Sequence, residues 1–195
     1  MIDNEPEGAT PIDADEAADL LPEHIRTRSE LNLWEQENIL EAVRWADRTR
    51  KDALDESFVR ELHRRMFDKT WKWAGKYRRS QKNIGVDWVE IAAEVRNLVD
   101  DGRFWFKNDT FPTDEAALRL HHRLVKIHPF ANGNGRHGRL WCDCILRQFG
   151  RAPFIWKNAE LDRSGSARLA YILALREADA NDYGRLTGLL LTNRV

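Results

Sequence analysis

Residues 128–139 read His128-Pro129-Phe130-Ala131-Asn132-Gly133-Asn134-Gly135-Arg136-His137-Gly138-Arg139. These residue types and spacings suit the handling of a phosphate chain. Gly133 and Gly135 lack a Cβ, so the backbone can approach a phosphate closely and visit positive φ. Several N–H groups can then converge on one concavity as an anion nest. The loop feeds directly into a helix start, where the first-turn N–H groups and the helix dipole favour an anion. Arg136 and Arg139 are three apart, so on a helix they share a face. Their guanidinium forks can grip phosphate oxygens in a bidentate way. His128, at the edge of the loop, carries the side chain best suited to removing a proton from an incoming hydroxyl near neutral pH. Phe130 reads as a buried anchor. Asn132 and Asn134 can offer side-chain oxygens to a metal or amides to a phosphate. Each residue taken singly has a plainer reading: a turn, a helix start, a solvated arginine. A short helix–helix connection, however, needs neither two glycines around an asparagine nor two arginines three apart.

The elements that must hold this loop are helical. Apolar residues Leu31, Trp34, Ile39, Ala42, Val43 and Trp45 recur at spacings of three to four, which predicts a helix from about residue 29. Phe58, Leu62, Met66 and Phe67 form the stripe of a second helix over 56–67. A third covers 91–106. Thr113, with Asp114 and Glu115 after it, marks a helix start where the dipole favours acids. That helix should stop before Pro129, because the residue preceding a proline is pushed out of the helical region. The next begins near Gly135 and ends at Gly150, and two more cover about 160–178 and 182–193. Residues 71–77 read as an aromatic, glycine-punctuated loop. Ile84, Val86, Trp88 and Val89 around Gly85 give the one hairpin signal in the chain.

Composition bounds the function classes. The chain has 195 residues, a 42% apolar share and a net charge of -1, an ordinary globular composition. That charge balance argues against a dedicated nucleic-acid binder, which usually carries a basic excess. The two cysteines, Cys142 and Cys144, form neither a disulfide framework nor a metal site and read as small apolar helix residues. With neither a leader-like N-terminus nor an 18-residue apolar run, the expected location is cytoplasmic and off the membrane. Residues 1–24 are acidic and punctuated by Pro6, Pro11 and Pro22. They read as a partly flexible arm ahead of a single domain over 25–195. No G-x-x-x-x-G-K-[ST] P-loop is present.

The segment HPFANGNGRHGR resembles the signature of the Fic (Fic/Doc) family, H-x-F-x-[D/E]-G-N-G-R-x-x-R, and departs from it only at Asn132. WAGKYRRSQKNIG before it and EADANDYGRLTGLL after it resemble neighbouring Fic segments. The Trp71–Gly75 and Lys82–Val86 pieces look closest to the subgroup known as mobile mystery protein B. The resemblance implies a mainly α, Fic-type helical bundle with one small β-hairpin, the flap, beside the active-site loop. It implies a protein adenylyltransferase that moves AMP from ATP to a Ser, Thr or Tyr hydroxyl of a target protein and releases pyrophosphate, with Mg²⁺ or Mn²⁺ as cofactor. By position, His128 would be the general base. Gly133, Asn134 and Gly135 would form the anion hole, and Arg136 and Arg139 would hold phosphates. Asn83, Ile84, Gly85 and Val86 would form the flap that aligns the target by strand-like pairing. Asn132 stands where the family usually has an acid that helps hold the metal, and it supplies one neutral oxygen and no charge.

Many Fic proteins carry an inhibitory helix of pattern [S/T]-x-x-x-E-[G/N], whose Glu pairs with the second motif arginine. Glu37-Asn38 resembles its last two positions, with Leu33 in place of Ser or Thr; the plainer reading is a surface glutamate. The resemblance leaves room for an inhibitory partner protein and for a homodimer. Three alternatives stay open: other phospho- or nucleotidyl transfer, removal of AMP, and a regulatory module of a toxin-antitoxin-like pair. His121 and His122 are adjacent, face different ways on a helix and read as structural. His24 and His63 have no supporting context, and Arg78 and Arg79 read as a solvated basic spot.

Overall fold

The computed structural model describes residues 13–162 and 165–191. Its elements are α1 (Ala14–Ala17), α2 (Arg28–Ala46), α3 (Glu56–Phe67), α4 (Ile91–Lys107), α5 (Thr113–Ile127), α6 (Asn134–Gln148), α7 (Asn158–Leu161), α8 (Ser166–Asp179) and α9 (Gly184–Leu191). The architecture is mainly α, as the periodicity predicted. Local signals set the boundaries. Thr27 caps α2 through a reciprocal box with Glu30, and the Asp55 carboxylate accepts from Ser57 N at the start of α3, each satisfying a first-turn donor.

The core is built where α5 packs on α6 and α4, and α2 packs on α3. The α3 stripe is fully buried at Phe58, Leu62, Met66 and Phe67. Leu120, Leu124, Trp141, Ile145 and Leu146 close the α5–α6 seam. Trp141 is buried whole, and its indole N–H donates to Ala53 O at 2.7 Å. Truncating a buried aromatic of this kind costs about 3–5 kcal/mol. Cys142 and Cys144 are buried free thiols, and burial pushes the Cys144 thiol up to about 12, so it stays protonated and inert.

One expectation about the surroundings of the site needs revision. Residues 80–90 carry no strand; they form bends and turns beside the His128 loop. The alternation of Ile84, Val86 and Trp88 imitates a strand, but the backbone is engaged elsewhere: Val86 O accepts from the Arg78 guanidinium at 2.5 Å and Val86 N donates to Ile127 O at 3.3 Å. The hairpin prediction therefore fails locally, although the segment lies where a flap was expected. The acidic arm, expected over residues 1–24, is described only in part. Residues 1–12 lie outside the described residues, but from Asp13 onward the arm is docked. The Lys82 ammonium, 3% exposed, bonds Asp13 at 2.7 Å and Glu16 at 2.6 Å. Leu21 N donates to Thr70 O, and Lys72 N to Asp19 O. Among the described residues, no helix is long and apolar enough to cross a membrane.

Candidate active site

His128 caps α5 in the left-handed conformation, φ 55° and ψ 59°. Pro129 bars it from continuing the helix, and the left-handed position costs about 1–3 kcal/mol unless its surroundings hold it. The imidazole is 6% exposed. Burial, with the nearby Arg78 and Lys82 charges, lowers its pKa to about 4 against a partial offset from Val125 O. It is therefore neutral near pH 7. Nδ1 lies 3.3 Å from Val125 O, which can only accept; this selects the Nδ1–H tautomer and puts the lone pair on Nε2.

The loop after it is closed by its own residues. The Asn134 amide bonds Phe130 twice: Oδ1 accepts from Phe130 N and Nδ2 donates to Phe130 O, both at 2.9 Å. The Asn134 side chain is thus a latch, and only its backbone N–H is oriented for an anion, which narrows the phosphate role expected of it. Phe130 is the buried anchor foreseen from its type, stacked on His63 at 3.7 Å. His63, read as contextless, holds the loop from below. Its Nδ1 accepts from Gly75 N at 3.0 Å, so Nε2 carries the proton and donates to Asn132 O at 3.1 Å. Burial, first, and the neighbouring His137 depress the His63 pKa strongly.

Gly133 has φ 78° and is the N-cap of α6. A Cβ there would sit 2.5 Å from the Phe67 ring, so both backbone and packing require glycine. The N–H groups of Asn134, Gly135 and Arg136 have no intrahelical acceptor. The first turn of α6 contains no acid, so the positive end of the helix dipole is not neutralised from within the helix. A Cβ on Gly135 would meet only the Arg139 guanidinium, at 3.7 Å.

Arg139 is buried and Arg136 half-buried on this turn, and each meets a carboxylate of the same chain. Arg136 Nη1 bonds Glu35 Oε2 at 2.7 Å, and Glu35 Oε1 accepts from Trp71 Nε1 at 2.8 Å. Burial opposes the Arg136 charge, but Glu35 outweighs it and its pKa is raised. Arg139 Nη2 bonds Asp162 Oδ1 at 2.6 Å. The acid that α2 presents to the loop is therefore Glu35, and it meets the first motif arginine. Glu37 is exposed, about 200° round the helix, so its assignment to Arg139 is corrected. The missed signal was spatial: Leu31, Glu35, Asn38, Ala42 and Ala46 are the buried residues at helical spacing, and Glu35 is the one charge on that stripe.

The donor set around Asn132 does not suit a resident divalent cation. Asn132 Oδ1 accepts from Gly133 N at 2.7 Å and lies 3.5 Å from Arg136 Nη2. Among the described residues, no cluster of three or more His, Cys, Asp or Glu is placed to hold a metal. The flap residues Asn83, Ile84 and Gly85 are exposed and Val86 is half-buried; Gly85 faces His128 directly, where a Cβ would come 2.7 Å from the His128 Cβ. His121 and His122 hydrogen-bond Tyr171 and Tyr183, in keeping with structural roles.

Residues 53–146, from just before α3 through most of α6, match the model of the Fic/DOC family. The chain is similar to Protein adenylyltransferase Fic of Drosophila mojavensis, 33% identical over 102 residues that are 50% of this chain and 20% of the relative. The same-named protein of Drosophila melanogaster is 33% identical over 118 residues, 58% of this chain and 23% of the relative. The chain thus spans about a fifth of the length of these curated relatives. In fold it is similar to the BepC protein of Bartonella tribocorum, solved with bound AMPPNP, with a TM-score of 0.69 at 17% identity over 91% of this chain and 96% of that one. Fic-1 of C. elegans gives a TM-score of 0.65 at 21% identity, covering 88% of this chain and 50% of that one. Residues 53–146, which carry the His128 loop and its arginines, form a Fic/DOC family domain.

Proposed function

We propose that this protein is an enzyme that transfers AMP from ATP to a hydroxyl side chain of a target protein. The observation that carries the reading is a neutral, Nε2-lone-pair imidazole at His128, held one short loop away from an acid-free helix N-terminus bearing Arg139, buried, and Arg136, half-buried. Nε2 removes the proton of the target hydroxyl as its oxygen bonds the α-phosphorus. The bond from the α-phosphorus to the bridging oxygen of the β-phosphate breaks, and pyrophosphate leaves with the electron pair. The first-turn amides and Arg136 and Arg139 neutralise the developing charge, so catalysis is positioning plus electrostatics. Asn132 brings one neutral oxygen, so ATP and water, not the protein, would supply the ligands of any Mg²⁺ or Mn²⁺. The exposed apolar side chains of Ile84, Trp88 and Val89 suit a target segment laid across residues 83–86. The relatives named as adenylyltransferases support the same reaction. The subgroup likeness rests on residues 71–75 and 82–86 alone.

Glu35 and Asp162 occupy the arginines that phosphate would need. We read this as a restrained resting state, relieved when ATP displaces the carboxylates. The reaction is tested by incubating the protein with α-labelled and, separately, γ-labelled ATP. Label from the α-position on protein, lost in His128→Ala, is the expected result. Label from the γ-position alone would replace the reading with phosphotransfer.

A further inference from the structure

Arg78 lies outside the active-site loop, and its type and neighbours suggest a solvated charge. The structure buries it to 4% exposure and gives its guanidinium three acceptors, all of them backbone carbonyls, on two stretches of chain. Nε donates to His128 O at 2.8 Å, Nη1 to Ser80 O at 2.8 Å and Nη2 to Val86 O at 2.5 Å. Its backbone N–H adds a bond to Pro129 O at 2.9 Å. The planar fork thus ties the left-handed His128 peptide to both ends of segment 80–86. Gly85, at φ 99°, leaves room for this: a Cβ there would lie 2.8 Å from Arg78 Nη2 and 2.7 Å from the His128 Cβ. Among the described residues no carboxylate forms a salt bridge with Arg78; Asp87 and Glu16 act on its charge from farther away, and its hydrogen bonds go to carbonyl dipoles.

We infer that Arg78 is the positioning residue that fixes His128 and the target-aligning segment 80–86 as one unit. This rests on the reading of His128 as the base. The role needs the fork, not merely the charge. A lysine ammonium is a point donor on a flexible stem and cannot span three carbonyls in one plane. Loss of the fork frees the His128 peptide from the Arg78 donor on its carbonyl and lets segment 80–86 lift, so the imidazole and the target hydroxyl lose their alignment. Misplacement of about 1 Å at a reacting group costs on the order of 10²-fold in rate.

The test compares wild type, Arg78→Lys and Arg78→Gln by three readouts. These are amide hydrogen exchange over residues 80–90, titration of the His128 imidazole by NMR, and AMP transfer from α-labelled ATP with kcat and KM separated. Both variants should show faster exchange at Val86 and a kcat lowered by about 10²-fold with KM for ATP within about twofold. In Arg78→Gln the His128 pKa rises, because a cation beside it is gone. Wild-type exchange and titration in Arg78→Gln would overturn the inference, as would full activity in Arg78→Lys. If the glutamine variant does not fold, the lysine variant alone decides through its exchange and its kcat. If wild type transfers no AMP at all, the reaction reading falls, and exchange with titration still decides whether Arg78 fixes the unit.

Discussion

Glu35 is a carboxylate buried to 4% exposure that takes one hydrogen bond from an indole and one from a motif arginine. A buried charge pair of this kind gives up hydration that its Coulomb attraction only partly returns. Its contribution is therefore specificity of position, here on the guanidinium that phosphate would otherwise take. Glu35→Gln keeps an acceptor for Trp71 Nε1 but removes the charge. It should lower the melting temperature of the unliganded protein and tighten ATP binding by about tenfold, equivalent to about 1.4 kcal/mol. Calorimetric titration with ATP and a thermal melt check both signs. A variant that is less stable and also binds ATP more weakly would show the pair to be purely structural. Glu37→Gln, on the exposed face of the same helix, should change neither.

At the scale of elements, the decisive junction is the one between α5 and α6. His128 ends one helix in the left-handed region and Gly133 opens the next at φ 78°. The Phe67 ring from α3 packs against the Gly133 Cα. Gly133→Ala must either displace that ring or abandon the φ, and the strained backbone alone costs about 1–3 kcal/mol. Urea unfolding should report at least that loss, and an unchanged midpoint would mean the loop is not held as described. This junction was legible in the sequence because its signals are local: proline after the last turn, glycine at the turn, arginines three apart. The helices were legible for the same reason: α3 has the bounds its stripe predicted and buries Phe58, Leu62, Met66 and Phe67, with Val59 and His63 joining the same buried face. Segment 80–90 was misread because period-two alternation reports which side chains are apolar and not where the backbone bonds go; Arg78 and Ile127 take those bonds instead of a partner strand. Glu35, His63 and Asp162 were not singled out because their partners lie far along the chain, and local periodicity carries no trace of such contacts.

Across the whole molecule, buried neutral imidazoles couple stability to pH. Burial is the largest cause lowering His121 and His137 to about 3 and His128 to about 4, and it depresses His63 strongly as well. An unfolded histidine titrates at about 6.5. Between that value and the folded ones, the unfolded chain binds protons that the folded protein does not, so stability is complete above about pH 6.5 and falls as the pH drops toward 4. Each imidazole contributes up to about 1.4 kcal/mol per pH unit in that window. Chemical unfolding at a series of pH values should show this steep acid limb, and a flat profile from 7 to 5 would contradict the burial of these rings. The same fold sets the proposed reaction, since it keeps His128 neutral beside the cationic turn of α6. The most direct measurement is intact-protein mass spectrometry after incubation with ATP and a divalent cation, on wild type and His128→Ala. The wild type should gain the mass of one AMP on a hydroxyl side chain and the variant none. A phosphate adduct, or an AMP adduct undiminished in His128→Ala, would contradict it.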